Sequence, residues 1–158
     1  MKKTILSQGT AEPSESGIWL DLEAIADVQI TSEDEAFPIE HALGKERSTG
    51  WRAGKTGPQV IRLVFHAPQA IRRIQLRIVD QTSERSQELL LTASVGGEWK
   101  EIVRQQWNFS PGGTTEELED YRVELTGVNA LELKIDPDRS HDPKQSQHFA
   151  SLEWLRLA

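Results

Sequence analysis

Residues 59–79 read QVIRLVFHAPQAIRRIQLRIV, and their alternation decides the fold. Ile61, Leu63 and Phe65 fall on one face with Arg62 opposite. After the Ala-Pro-Gln break, Ile74, Leu76 and Ile78 face one way and Arg73, Gln75 and Arg77 the other. A period of two residues with one apolar and one charged face is the signature of a strand buried on one side.

The same grammar runs outward in both directions. Upstream, GIWLDL places Ile18, Leu20 and Leu22 together, and DVQITS does so for Val28 and Ile30. Downstream, Leu89, Leu91, Ala93 and Val95 alternate, as do Val103, Gln105, Trp107 and Phe109. So do Tyr121, Val123 and Leu125, and then Leu131, Leu133 and Ile135. The closing SLEWLRL turns either Leu152 and Trp154 or Leu155 and Leu157 inward. Turn formers separate these runs: APQ, VGGE, SPGG, TGVN and DPD. Short strands with such breaks predict an all-β antiparallel sandwich or barrel. SEDEAFPIEHAL has room for one helical turn.

Composition narrows the function classes. The chain has 158 residues, enough for one core. Its 37% apolar and 27% charged content lies outside the disordered range. A net charge of −7 repels phosphate backbones, so no nucleic-acid partner is expected. There is no cysteine, which excludes disulfides and zinc–thiolate sites. Neither a signal-like apolar run nor a membrane span is legible, so the expectation is a cytoplasmic protein without a membrane partner. Residues 1–16 read as a flexible tail and 17–158 as one sandwich domain, without repeats.

Catalytic signatures are absent: no GxSxG, HExxH, P-loop or dinucleotide fingerprint occurs. Glu116 and Glu117 read as a loop pair with nothing to place them around a scissile bond. Asp136, Asp138, Asp142, His141 and His148 offer metal-binding atoms, but at no established ligand spacing. The expectation is a protein that is not an enzyme and requires no cofactor.

Three polar stretches, 79–88, 109–120 and 136–151, read as loops at the ends of the sandwich. Arg85 and Glu88 lie in the first, and Arg139, Lys144 and His148 in the last. Trp51, among glycines and charges in STGWRAGKTG, reads either as a displayed platform or as a plug beneath its loop. Burial of large aromatics favours the plug.

The order of the motifs VQITSED, FPIEHAL, STGWRA and GPQVIRLVF, then IRRIQL, Arg85, TASVGGEW and a closing ASLEWLRL, resembles that of discoidin-like domains. These coagulation-factor type C domains belong to the galactose-binding-like jelly rolls. The resemblance spans residues 18–158 and implies an eight-stranded jelly roll. It also implies that Trp51 packs under its loop and that Trp99 is a structural hairpin tryptophan. By resemblance the ligand is a carbohydrate held by loops at one end, with Arg52, Arg85, Trp107 and His148 as candidate binding residues. The family's Ala-x-Asp-Gly loop reads Leu43-Gly44 here, while the terminal carboxylate, Glu153, is present. A structural calcium would therefore have only half its side-chain pair. The alternative reading is a cytoplasmic protein–protein scaffold on the same fold, contacted through an edge strand or through Phe37 and Phe149.

Overall fold

A straight strand of 21 residues would reach about 70 Å. A folded chain of this size has a radius of gyration of only about 15 Å. The computed structural model, which describes residues 19–44, 49–140 and 147–158, resolves this conflict by bending two such strands. β3 (Gln59–Val79) and β6 (Glu116–Asp136) each run unbroken where the sequence suggests two strands apiece. Their antiparallel pairing is regular from Gln59↔Ile135 to Val64↔Ala130 and from Arg73↔Arg122 to Val79↔Glu116. Between these stretches the register shifts three times, around Pro68 and Gly127. Proline lacks a ladder donor and Gly127 has φ +68°, so both strands turn there without ending. The expected Ala-Pro-Gln and Thr-Gly-Val-Asn turns are thus bends within strands.

The first half of β3 pairs with β1 (Ala26–Ile30) and with β6, which pairs in turn with β4 (Arg85–Val95) and then β5 (Glu98–Phe109). The second half of β3 lies between the first half of β6 and β8 (Trp154–Leu157). β2 (Trp51–Thr56) pairs with β7 (Phe149–Leu152). Eight strands are thus seen among the described residues, joined antiparallel. Their inward residues form one cluster: Ile61, Leu63, Leu131, Leu133, Leu89 and Leu91 meet Ile74, Leu76, Ile78, Leu155 and Leu157. A bend at Glu153 lets Leu152 point inward before it and Leu155 and Leu157 after it.

Two local expectations change. In GIWLDL no strand is seen among the described residues; Leu22–Ile25 form a helical turn, α1. Leu22 and Ile25 share a face at helical spacing and pack toward the core, which competes with the period-two reading. Ile18 and residues 1–16 lie outside the described residues. Trp99 follows the Gly96-Gly97 hairpin, whose two positive φ angles suit a tight two-residue turn. It is 47% exposed, with the Arg62 guanidinium 5.4 Å from its ring, so it is not a buried plug. The turn expected in SEDEAFPIEHAL is α2 (Glu40–Leu43).

Trp51 is the plug. It is 1% exposed, and its Nε1 donates to the Ser32 carbonyl at 3.1 Å. Gly50 precedes it at φ +78°, where a Cβ would stand 2.7 Å from the Leu152 carbonyl oxygen. Only glycine lets that loop press so closely onto the end of β7.

Candidate functional site

At one end of the sandwich a cleft of about 370 Å³ opens between the β3–β4 connection, the start of β2 and the approach to β7. Arg52, Thr82, Ser83, Gln147, His148 and Phe149 are among its lining residues. Two of the expected binding residues, Arg52 and His148, therefore meet here.

Backbone pairing fixes Arg52. Its N–H donates to the Phe37 carbonyl at 3.1 Å, its carbonyl accepts from Asp34 N–H at 2.9 Å, and it stands opposite Ser151. Its guanidinium lies 5.0 Å from the Phe37 ring, a stacking that orients the fork. Among the described residues no carboxylate is ion-paired with it. His148 is half-buried, and its carbonyl accepts from Gly57 N–H at 3.3 Å. Phe149 is 45% exposed, because β7 alternates and turns Ala150 and Leu152 inward.

The opposite wall is built on Asp80. One of its oxygens accepts from Thr82 N–H at 2.9 Å, Thr82 Oγ1 at 3.0 Å and Ser83 N–H at 3.1 Å. The other accepts from Arg85 Nε at 2.7 Å. Burial works against the Asp80 charge, but the hydrogen bonds from Arg85 and Thr82 outweigh it and hold the carboxyl below its usual range.

Arg85 itself is not a rim residue. The odd positions of β4 face inward, so Arg85 and Gln87 continue the row of Leu89, Leu91 and Ala93. Only 1% of the Arg85 side chain is exposed. Besides Asp80 it donates to Gln87 Oε1 at 2.6 Å and to the Pro137 carbonyl at 2.9 Å, and it lies 4.4 Å from the Phe109 ring. Buried and held by three protein acceptors, it braces two loops from beneath and presents no fork to the cleft.

Trp107 is not in the cleft either. It faces inward from β5, half-buried, beside Gln87 on the neighbouring strand. Stacking on a ligand would need its strand end exposed, but β5 continues to the buried Phe109.

On the other side of Arg52 a smaller cleft of about 140 Å³ is lined by Thr49, Trp51, Leu152 and Glu153 among others. Glu153 is the carboxylate that the resemblance connects with calcium. Its Oε2 lies 2.8 Å from Arg77 Nη1, and Arg77 also binds Glu116 at 2.8 and 3.2 Å. A guanidinium at the carboxylate and an apolar Leu43 at the aspartate position do not fit a divalent cation. No group of three histidine, aspartate or glutamate side chains among the described residues could hold a metal. His141, Asp142 and Lys144 lie outside the described residues.

Sequence reasoning missed the Thr82–Ser83 wall and the polar Gln147. Phe149, which the sequence offers as a protein contact, faces outward because Ala150 and Leu152 point inward.

No protein-family model matches the sequence, and no curated protein matches it. The likeness is structural. The chain is similar to the family 32 carbohydrate-binding module of Clostridium perfringens NanJ, solved with galactose. That likeness has 15% identity over 88% of this chain and 96% of that one, with a TM-score of 0.62. It is similar to a family 32 module from a family 31 glycoside hydrolase of Clostridium perfringens, with 16% identity, 92% and 97% coverage and a TM-score of 0.65. It also resembles the family 32 module of AlyQ, solved with 4,5-unsaturated mannuronic acid, with 15% identity, 89% and 98% coverage and a TM-score of 0.61. The fold is therefore the discoidin-like, galactose-binding-like jelly roll.

Proposed function

We propose that this chain is a non-enzymatic carbohydrate-binding module whose ligand docks in the cleft between Arg52, His148, Phe149 and the Thr82–Ser83 wall. The observation that carries this reading is the meeting of a planar cationic fork, an imidazole and an exposed aromatic face in one cleft of about 370 Å³. Arg52 would donate two bonds to vicinal hydroxyls or to a sugar carboxylate. His148 would donate or accept one more. Phe149 would receive the apolar face of a pyranose ring. Solved structures of the same fold that carry galactose and an unsaturated mannuronic acid support the ligand class. The cleft is open and few atoms would be buried, so affinity is expected to be modest.

A glycan array, followed by titration calorimetry on the sugars that bind, tests this. Arg52→Ala and Phe149→Ala should each abolish or strongly weaken binding while the melting temperature stays put. Trp107→Phe should bind as the parent does. Unchanged binding in both Arg52→Ala and Phe149→Ala, or a blank array, would overturn the reading.

A further inference from the structure

Glu117 is the most deeply buried carboxyl among the described residues, at 0% exposure. It does not lie in a loop. It faces inward from the first half of β6, and Glu119 and Tyr121 follow on the same face. Its Oε1 accepts from Gln87 Nε2 at 2.9 Å. Its Oε2, Glu119 Oε1 and the Tyr121 hydroxyl oxygen are shut off from solvent and lack conventional partners. With both carboxyls ionised, two anions would face each other there, and the Tyr121 hydroxyl can donate to only one of them. One proton held between the carboxyls supplies the second donor.

The hydrogen bonds then run on without a gap. Gln87 Oε1 accepts from Arg85 at 2.6 Å, Arg85 Nε donates to Asp80 at 2.7 Å, and Asp80 accepts the Thr82 and Ser83 amides. We propose that Glu117 is a positioning residue of the cleft: a proton it shares with Glu119 sets the Thr82–Ser83 wall through Gln87, Arg85 and Asp80. That this wall belongs to a sugar site rests on the reading above; the relay does not.

The surroundings support the proton's retention. Burial, and after it the neighbouring Glu119, push the Glu117 carboxyl up to about 8, while Gln87 and the Arg85 charge work the other way. Burial, then the charge of Glu119, pushes the Tyr121 phenol up as well, so it remains a neutral donor. Asp80, the other carboxylate of the relay, is ion-paired with Arg85. The facing residues of β3 (Ile74, Leu76 and Ile78) and of β5 (Gln105, Trp107 and Phe109) bring no charge.

The test is an NMR titration of the full chain between pH 5 and 10, following glutamate Cδ and backbone amide shifts. Glu117 Cδ should titrate with a midpoint near 8, and the Thr82 and Ser83 amides should shift with the same midpoint. In Glu117→Gln, a neutral mimic that can still accept from Gln87, the two amides should lose that step and keep their low-pH positions. Should that variant not fold, Glu119→Gln serves: removing the like charge should lower the Glu117 and amide midpoints together by about one unit or more. A Glu117 midpoint in the ordinary carboxylate range, or amides that ignore it, overturns the relay. Galactose is the probe for the site. Its binding should weaken through the same midpoint, and no binding at any pH would exclude galactose as the cleft's ligand while leaving the amide titration to decide the relay.

Discussion

Replacing Arg85 by methionine should destabilise the protein rather than merely abolish ligand binding. Methionine preserves much of the side-chain volume, so the change removes the charge and the donors with little new cavity. Three acceptors lose a donor: Asp80 Oδ2 at 2.7 Å, Gln87 Oε1 at 2.6 Å and the Pro137 carbonyl at 2.9 Å. Breaking a buried ion pair from one side costs about 3–5 kcal/mol, because the partner keeps an uncompensated charge. The Asp80 side chain is 14% exposed, so water can recover part of its solvation and the lower end, about 3 kcal/mol, is expected. Against a total stability of about 5–15 kcal/mol this is large. Urea unfolding should show it as a fall in midpoint of roughly 1–2 M. Adding Asp80→Asn should restore part of the loss, since the stranded charge disappears, and the double-mutant cycle should give clear coupling. The pH dependence has a matching sign. Asp80 is held below its usual range, so its contribution is complete above the ordinary carboxylate value and is lost as pH falls through the depressed one. A methionine variant within about 0.5 kcal/mol of the parent, the range of ordinary surface changes, would refute the bracing role.

Glu117 predicts the opposite slope. Between its ordinary value of 4.5 and about 8 the unfolded chain has released a proton that the folded chain retains. Its contribution is therefore complete below 4.5 and falls with rising pH by at most about 1.4 kcal/mol per unit, reaching its minimum above 8. Urea melts of Glu117→Gln should lack this decline, and an identical profile would contradict it. Gly50→Ala forces a Cβ into the left-handed region and against the Leu152 carbonyl, and should cost more than about 1 kcal/mol by thermal melting. Calcium chloride should leave the melting temperature where a chelator leaves it, because Arg77 already neutralises Glu153. A saturable rise with calcium would show that the pair gives way to the ion.

The strand pattern was legible because alternation carries the physics of a half-buried sheet. Ile61, Leu63, Ile74, Leu76 and Ile78 all stand where their parity places them. What alternation cannot tell is whether Pro68 and Gly127 end a strand or bend it. Both outcomes expose the same residues, and only the long-range pairing of β3 with β6 separates them. The helical turn at Leu22–Ile25 escaped for a related reason: four residues are too few for one period to exclude the other.

The site was harder to read, and Arg85 shows why. Its polar neighbours Glu84, Ser86 and Glu88 make the segment read as a loop. Yet parity counted back from Leu89 puts it on the inward row, and parity is the stronger signal once the strand is known. A charge on that row must bring partners, and these lie 5, 2 and 52 residues away in the chain, at Asp80, Gln87 and Pro137. Arg52 and His148 could be named singly because each sits beside a turn. Their meeting depends on β2 pairing with β7, which sets Arg52 across from Ser151 and brings Phe149 beside the same cleft. The interior row of Arg85, Gln87 and Glu117 thus does for the loops what the apolar rows do for the sheets. It fixes their position from inside, and at Glu117 it does so with a group whose charge depends on pH.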